Sequence, residues 1–339
     1  MRGTLQFRVT GPEEASRIRQ FLAGVFHMSV DAPPFEPQLI YWKYYEPHPE
    51  WTGSRSFVVE RNGEIASHGC VWPMPFVTPS GKVPACQIID WAASPAVPGA
   101  GMLLRREIEK MVAVSVAIGG SPDSRKVIPS SGYATIASFR KFVRVVRPLQ
   151  QLRRRPHPNG RDVGKFGRNL LWSMTPVPRS PTPFTVEATE TVDLPPADYL
   201  PTLRSRELYQ YLLDCPACSV TTGSLKKLGS NAGSFLLSRV DGQARIADLQ
   251  TAGTPEDWKA AVIAVTREAS KFPDTCEILA STCLDRFADA LVNAGYKLRS
   301  EQPVFLLDRS KALTAAEVHI TSVDYDDFFA RFPDAPVAS

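Results

Sequence analysis

The chain has 339 residues, of which 43% are hydrophobic and 22% charged, the balance of a folded protein of about two domains rather than a disordered one. Lys and Arg number 39 against 35 Asp and Glu, and a net charge of +4 is too small to argue for a nucleic-acid binder. No apolar run approaches the ~18 residues a membrane helix needs, and Met1 to Arg8 lacks the apolar stretch of a signal peptide, so a cytoplasmic location is expected.

Elements follow in chain order. A strand from Gln6 to Val9 leads to Thr10-Gly11-Pro12-Glu13, where Thr10 and Glu13 have the spacing of a capping box. Ile18, Phe21, Leu22 and Val25 then recur at helical spacing, and a second helix surrounds Leu39 to Tyr45. Two strands, Ser56 to Glu60 and Glu64 to Val71, are joined at Asn62-Gly63, a strong hairpin signal. A turn at Pro79 to Lys82 precedes a strand ending Ile88-Ile89-Asp90-Trp91-Ala92. A glycine-rich loop leads into a helix with Leu104, Ile108, Met111 and Ser115 on one face. Val114 to Ile118 is a short apolar strand, and Gly132-Tyr133 precedes a last strand through Phe142, Val143 and Val145.

From Leu149 to Pro183 the composition changes. Arg153, Arg154, Arg155, Arg161, Lys165 and Arg168 face one acid, Asp162, and six prolines punctuate the stretch, which reads as a solvated inter-domain linker. It lacks the interleaved aromatic residues of a single-strand nucleic-acid platform. The second half then repeats the order of the first. Leu208 to Leu213 is helical, Ser234 to Val240 turns at Asp241-Gly242, Asp248 stands where Asp90 does, and Ala294-Gly295-Tyr296 answers Ser131-Gly132-Tyr133. Cys215-Pro216-Ala217-Cys218 follows a helix end and has no second pair at ribbon spacing; free, mostly buried thiols and no metal site are expected.

This order of elements resembles the GCN5-related N-acetyltransferase (GNAT) superfamily. The family signature, Arg/Gln-x-x-Gly-x-Gly/Ala after the fourth strand, meets Pro98-Gly99-Ala100-Gly101-Met102-Leu103 here. Gly99 and Gly101 fit; Pro98 replaces Arg or Gln, and Leu103 a small residue. The tandem arrangement and Tyr41-Trp42-Lys43-Tyr44 look like GNAT proteins of bacterial surface-polysaccharide clusters. The resemblance implies an α/β fold of two tandem GNAT-like domains, each a mixed, mostly antiparallel sheet flanked by helices. The expected division is 1–148 (candidate acyl-CoA loop), 149–183 (linker), 184–310 (degenerate second domain) and 311–339 (tail).

Glycines before a helix let backbone N–H groups converge on an anion, and the helix N-terminus adds a partial positive charge. Gly99, Ala100, Gly101, Met102 and Leu103 are therefore the expected donors to a coenzyme A pyrophosphate, with Trp91, Ala92 and Ala93 lying along the pantetheine. At the matching turn of the second half, Glu256 and Asp257 would repel that group. Acyl transfer to an amine needs a base. Asp90, among apolar neighbours that would raise its pKa, and His68 on the preceding strand are the candidates, each with a structural alternative. The tyrosine that many family members place four residues before the Gly-aromatic pair is replaced by Ile128 and Leu291. Trp42, Tyr44 and Tyr45 are candidates for an acceptor groove, or for core.

The expected function is transfer from acetyl-CoA or another acyl-CoA to the amine of a small molecule or amino sugar. A degenerate GNAT fold serving as a binding module, and transfer from aminoacyl-tRNA, are the alternatives.

Overall fold

The computed structural model describes residues 4–154, 160–180, 184–189, 198–313 and 317–330, with backbone alone at 160–163. The first half runs β1 (Leu5–Val9), α1 (Ala15–Phe26), α2 (Pro37–Tyr44), β2 (Ser56–Arg61), β3 (Glu64–Pro73), β4 (Phe76–Thr78), β5 (Gly81–Val83), β6 (Ala85–Ala93), α3 (Ala100–Glu109), β7 (Val114–Ile118), α4 (Pro122–Ser130) and β8 (Ala134–Val145). Two helices follow, α5 (Pro148–Arg153) and α6 (Gly160–Ser173). The second half runs β9 (Thr185–Ala188), β10 (Leu200–Pro201), α7 (Arg206–Leu213), β11 (Ser219–Lys227), β12 (Ser230–Val240), β13 (Gln243–Thr251), α8 (Pro255–Ser270), β14 (Glu277–Thr282), α9 (Asp285–Asn293), β15 (Lys297–Asp308) and β16 (Val318–His319).

Twelve strands form one mixed sheet in the order β1-β2-β3-β6-β7-β15-β8-β14-β13-β12-β11-β9. Only β6–β7 and β13–β14 pair parallel within it. The two halves exchange their last strands. β15 pairs with β7 of the first half, β8 pairs with β14 of the second, and β8 and β15 pair with each other at the centre. The repeat read in the sequence is therefore a repeat of order within one continuous sheet. The Asn62-Gly63 and Asp241-Gly242 turns join β2 to β3 and β12 to β13, each with two residues at positive φ, the conformation that suits the twist of a tight hairpin.

Packing fastens the halves together beneath the sheet centre. Trp42 of α2 stacks on Tyr211 of α7 with centroids 4.6 Å apart. Trp42 Nε1 donates to the Tyr211 carbonyl, and the Tyr211 hydroxyl donates to the Trp42 carbonyl. Trp72, Phe328 and Phe329 close around them, with Phe328 and Phe329 edge to face at 4.8 Å. Each such ring removes ~150–250 Å² from water.

Several expectations are corrected. Thr10 and Glu13 form no capping box: Thr10 Oγ1 bonds Ser56, and Glu14 accepts from the Gly11 N–H. Much of the expected linker is helical, as α5 and α6; Arg147, just ahead of it, donates to three carbonyls of the second half, those of Phe272, Thr275 and Ser270. Arg155 lies outside the described residues, as do the side chains of Arg161 and Asp162. The expected tail is core: His319, Ile320, Thr321 and Phe328 are fully buried. All six cysteines are free and five are buried. No described helix is long and apolar enough to cross a membrane.

Candidate functional site

The parallel ladder between β6 and β7 stops early. Ala85 to Gln87 pairs with Val114 to Val116, and beyond that point the two strands part. A cleft of about 920 Å³ opens there, walled by β6, the start of α3, the β7–α4 turn and the α1–α2 segment. A bulge helps to open it. β3 pairs with β6 at Cys70↔Ile89 and again at His68↔Ala92, so Asp90 and Trp91 together oppose Gly69. Asp90 carries φ +50°, and the strand bends where a bulge bends strands.

Two polar contacts hold that bulge. His68 Nδ1 lies 3.2 Å from the Asp90 carbonyl oxygen, and its Nε2 lies 3.0 Å from Ser56 Oγ. Full burial drives the imidazole pKa down to about 4, so it is neutral, with both nitrogens engaged and no face on the cleft. The Asp90 carboxylate accepts from Lys43 Nζ at 2.5 Å and from the Tyr44 hydroxyl at 2.7 Å. Burial alone would raise its pKa, as its apolar neighbours suggest. The Lys43 ammonium and these two hydrogen bonds outweigh burial and hold it below the usual carboxylate value. The raised pKa expected for Asp90 is thus corrected: it is an ionised partner of Lys43, a poor proton acceptor.

The expected cofactor residues divide. Trp91, Ala92, Ala93, Gly99, Gly101 and Met102 line the cleft. Ala100 is fully buried with its carbonyl accepting from Ser67 Oγ, and Leu103 packs on the apolar cluster of Phe57 and Leu104; neither side chain faces the cleft. Gly99 is the α3 N-cap at φ +85°. Gly101 answers a packing need as well as a ligand's: a Cβ there would stand 3.0 Å from Ala93 Cβ and 3.4 Å from Trp91 Nε1. In the first turn of α3 the Ala100 N–H is taken by the Val97 carbonyl, while Gly101 and Met102 line the cleft together with Gly119, Gly120 and the N-cap Ser121 of α4. Ile128 lines the same wall.

The expected aromatic groove does not form. Trp42 is spent on Tyr211, Tyr44 is fully buried on Asp90, and Tyr45 turns away to Thr10. None of the three lines the cleft; Lys43 between them does. The α1–α2 side of the cleft is instead an apolar wall of Val25, Phe26, Met28, Phe35 and Leu39, closed by Phe329.

Two residues that the sequence reading did not single out lie in the cleft. Asp326 arrives on the C-terminal segment, next to Tyr325. Its Oδ1 is shielded from solvent and has no hydrogen-bond partner. Burial and the nearby Asp90 charge push its pKa up to about 7, with Asp327 adding to the rise and Lys43 and Lys141 opposing it. Gln87 stands where β6 and β7 part; it is 2% exposed, and its Oε1 also lacks a partner. In the sequence, Asp326 sat in an unpatterned Asp324-Tyr325-Asp326-Asp327 run, with no local signal to single it out.

Among the described residues the matching splay of the second half is filled. Its α8 start is capped internally: the Asp257 N–H donates to Thr254 Oγ1, the Thr254 N–H donates to Asp257 Oδ2, and Lys227 pairs with Asp257. Beyond the β13–β14 ladder the chain's own C-terminal segment fills the gap. Thr321 bridges Thr282, and His319 packs among Tyr199, Trp258 and Phe287. Asp248, the counterpart of Asp90, is fully buried and clasped by Arg204 at 2.8 Å, with Tyr209, Gln250 and Thr321 completing its hydrogen bonds.

This architecture is shared with solved structures of GCN5-related N-acetyltransferases and of an N-myristoyltransferase. A GCN5-related N-acetyltransferase from Anabaena variabilis superposes with a TM-score of 0.57 at 13% identity, over 91% of this chain and 73% of that one. Saccharomyces cerevisiae N-myristoyltransferase with bound myristoyl-CoA gives 0.56 at 10%, over 90% and 82%. A GCN5-related N-acetyltransferase from Kribbella flavida gives 0.50 at 12%, over 90% and 71%. No protein-family model matches the chain, and no curated protein does.

Proposed function

We propose that the chain is an acyl-CoA-dependent N-acyltransferase with one active cleft, in the first half. The observation that carries this reading is the asymmetry of the two splays. One is open, edged by β6 backbone that β7 no longer pairs and lined by Gly101 and Met102 of the first turn of α3; the other is filled by the chain itself. An exposed strand edge suits the amides of pantetheine, as it would an added strand. The α3 N-terminus suits a pyrophosphate. That the fold's neighbours include an N-myristoyltransferase with its acyl-CoA bound supports the same ligand class. The missing Pro98 N–H removes one donor but leaves those of Gly101 and Met102.

The acyl group would lie at the Asp90–Trp91 bulge, with the amine entering from the α1–α2 side. Lys43, neutralised by Asp90, would shape that meeting point rather than take a proton. Isothermal titration with acetyl-CoA and with octanoyl-CoA tests the reading. Binding of either is expected, and absence of heat with both at millimolar ligand overturns it.

A further inference from the structure

We propose that Gln87 and Asp326 form the acceptor subsite of this cleft, that its substrate is a primary amine on an apolar body, and that Asp326 is the base that deprotonates it. The proposal rests on the acyl-CoA reading above. Among the described residues, these are the two cleft-lining side chains with a buried oxygen that accepts no hydrogen bond. A buried acceptor without a donor is costly and rare, and two of them on one cleft call for a ligand that brings N–H groups to both. A primary amine brings at least two.

Charge agrees with this assignment. The charged groups facing Asp326 are Asp90 on β6, Lys43 on α2, Lys141 on β8 and its own neighbour Asp327, with the neutral Tyr325 hydroxyl and Cys70 thiol of β3 also within its field. Lys43 is already paired with Asp90, and Lys141 with Asp327. Asp326 is thus the carboxylate of this group left without a cation of its own, and an ammonium supplies one. The apolar wall of Val25, Phe26, Met28, Phe35 and Leu39 lies on the same cleft and has no polar group to offer, so the rest of the acceptor is apolar.

The reaction balances with these groups. The bound ammonium gives one proton to the Asp326 carboxylate, which returns it to solvent. The freed nitrogen attacks the thioester carbon, forming C–N. The intermediate collapses with cleavage of C–S, and the second N–H proton passes to the departing thiolate, so that coenzyme A leaves as the thiol. A base whose pKa lies near 7 serves this at neutral pH.

The test uses the full chain, acetyl-CoA, and octylamine or ethylamine as acceptor, with thiol release as readout. The wild type is expected to prefer octylamine by tenfold or more in kcat/KM, with the rate rising through an acid limb near pH 7. Asp326→Asn should lower kcat/KM about a hundredfold and erase that limb, with acetyl-CoA affinity unchanged by titration. Gln87→Met should raise KM for octylamine about tenfold while keeping the limb. An intact limb in Asp326→Asn overturns the assignment of the base. No turnover of octylamine by a wild type that binds acetyl-CoA overturns the substrate class, as does a gain that follows octanoyl-CoA over acetyl-CoA instead of octylamine over ethylamine. Failure to bind either acyl-CoA is the separate failure of the acyltransferase reading and removes this proposal with it.

Discussion

The ammonium of Lys43 sits 2.5 Å from Oδ2 of Asp90, on the residue whose left-handed backbone makes the β6 bulge. Both side chains are nearly inaccessible, 3% and 13% exposed. A buried pair is weak evidence for stability, but breaking one member strands the other. Asp90→Ala should therefore cost about 3–5 kcal/mol in urea unfolding, whereas Lys43→Met with Asp90→Leu should recover much of that loss. The pH sign follows from the depressed pKa of Asp90. Its stabilisation is present above the unfolded carboxylate value and is lost as pH falls through the folded one. Equal stability of the single and double variants would show that the pair is not coupled.

The α3 turn gives a cleaner substitution. Gly101 is poorly suited to a test, since any side chain there meets Ala93 and Trp91. Met102 lines the cleft from the first turn of the same helix. An acid in a first turn favours the helix dipole, so Met102→Glu should keep or slightly raise the melting temperature. The same charge faces the bound pyrophosphate. Two unit charges ~4 Å apart at an effective dielectric near 20 repel by about 4 kcal/mol, and solvent at the cleft mouth reduces this to roughly 1–2 kcal/mol. Acetyl-CoA affinity should fall about 5- to 30-fold. The matching change in the second half, Lys259→Ala, removes only a surface pair with Glu256 and should leave affinity unchanged.

How much of this was legible in the sequence depended on range. The Asn62-Gly63 and Asp241-Gly242 hairpins and the glycine turn at Gly99 are local, and local chemistry specifies them. The filling of the second splay was half legible. Glu256 and Asp257 announced an α8 start hostile to phosphate, but nothing in Val318 to Asp324 announced a segment that would occupy the gap. The strand exchange was hidden for a physical reason. β8 and β15 have the same length, and which half each one completes is decided by pairing across more than a hundred residues. The depressed pKa of Asp90 is hidden from the sequence for the same reason. Its neighbours in sequence are apolar, while its partner Lys43 is 47 residues away.

Trp42 separates a groove from a core. It stacks on Tyr211, touches Trp72, Phe328 and Phe329 through its ring, and is 4% exposed. Trp42→Ala should cost about 3–5 kcal/mol, the usual range for a buried aromatic removed from a packed site. Because it joins the halves, that loss should appear as one cooperative unfolding transition of the whole chain, monitored by tryptophan fluorescence and far-UV circular dichroism together. Acetyl-CoA affinity of the folded fraction should be unchanged. A change in affinity with no loss of stability would return Trp42 to the ligand.

Asp326 carries a stability signature independent of any substrate. Its folded pKa is about 7, above the value of an unfolded aspartate, so the native state binds its proton more tightly. Between the two values the native state holds more protons than the unfolded one, and stability falls as pH rises. Below the unfolded value the carboxyl is protonated in both states and the penalty is absent. Above about pH 7 the penalty is complete, and after allowance for the part of the carboxylate that reaches solvent it amounts to roughly 2–4 kcal/mol. His68 works in the opposite sense: its folded pKa near 4 makes stability fall as pH drops below the unfolded histidine value, so the two trends partly cancel in the wild type. Asp326→Asn, a neutral near-isostere of the protonated acid, separates them. It should match the wild type at pH 4, exceed it by roughly 2–4 kcal/mol at pH 8, and leave a stability that rises from pH 4 and levels off above the unfolded histidine value. Urea unfolding at four pH values measures this, and a constant difference between variant and wild type across the series would mean that Asp326 is ionised throughout and finds a partner in the folded chain.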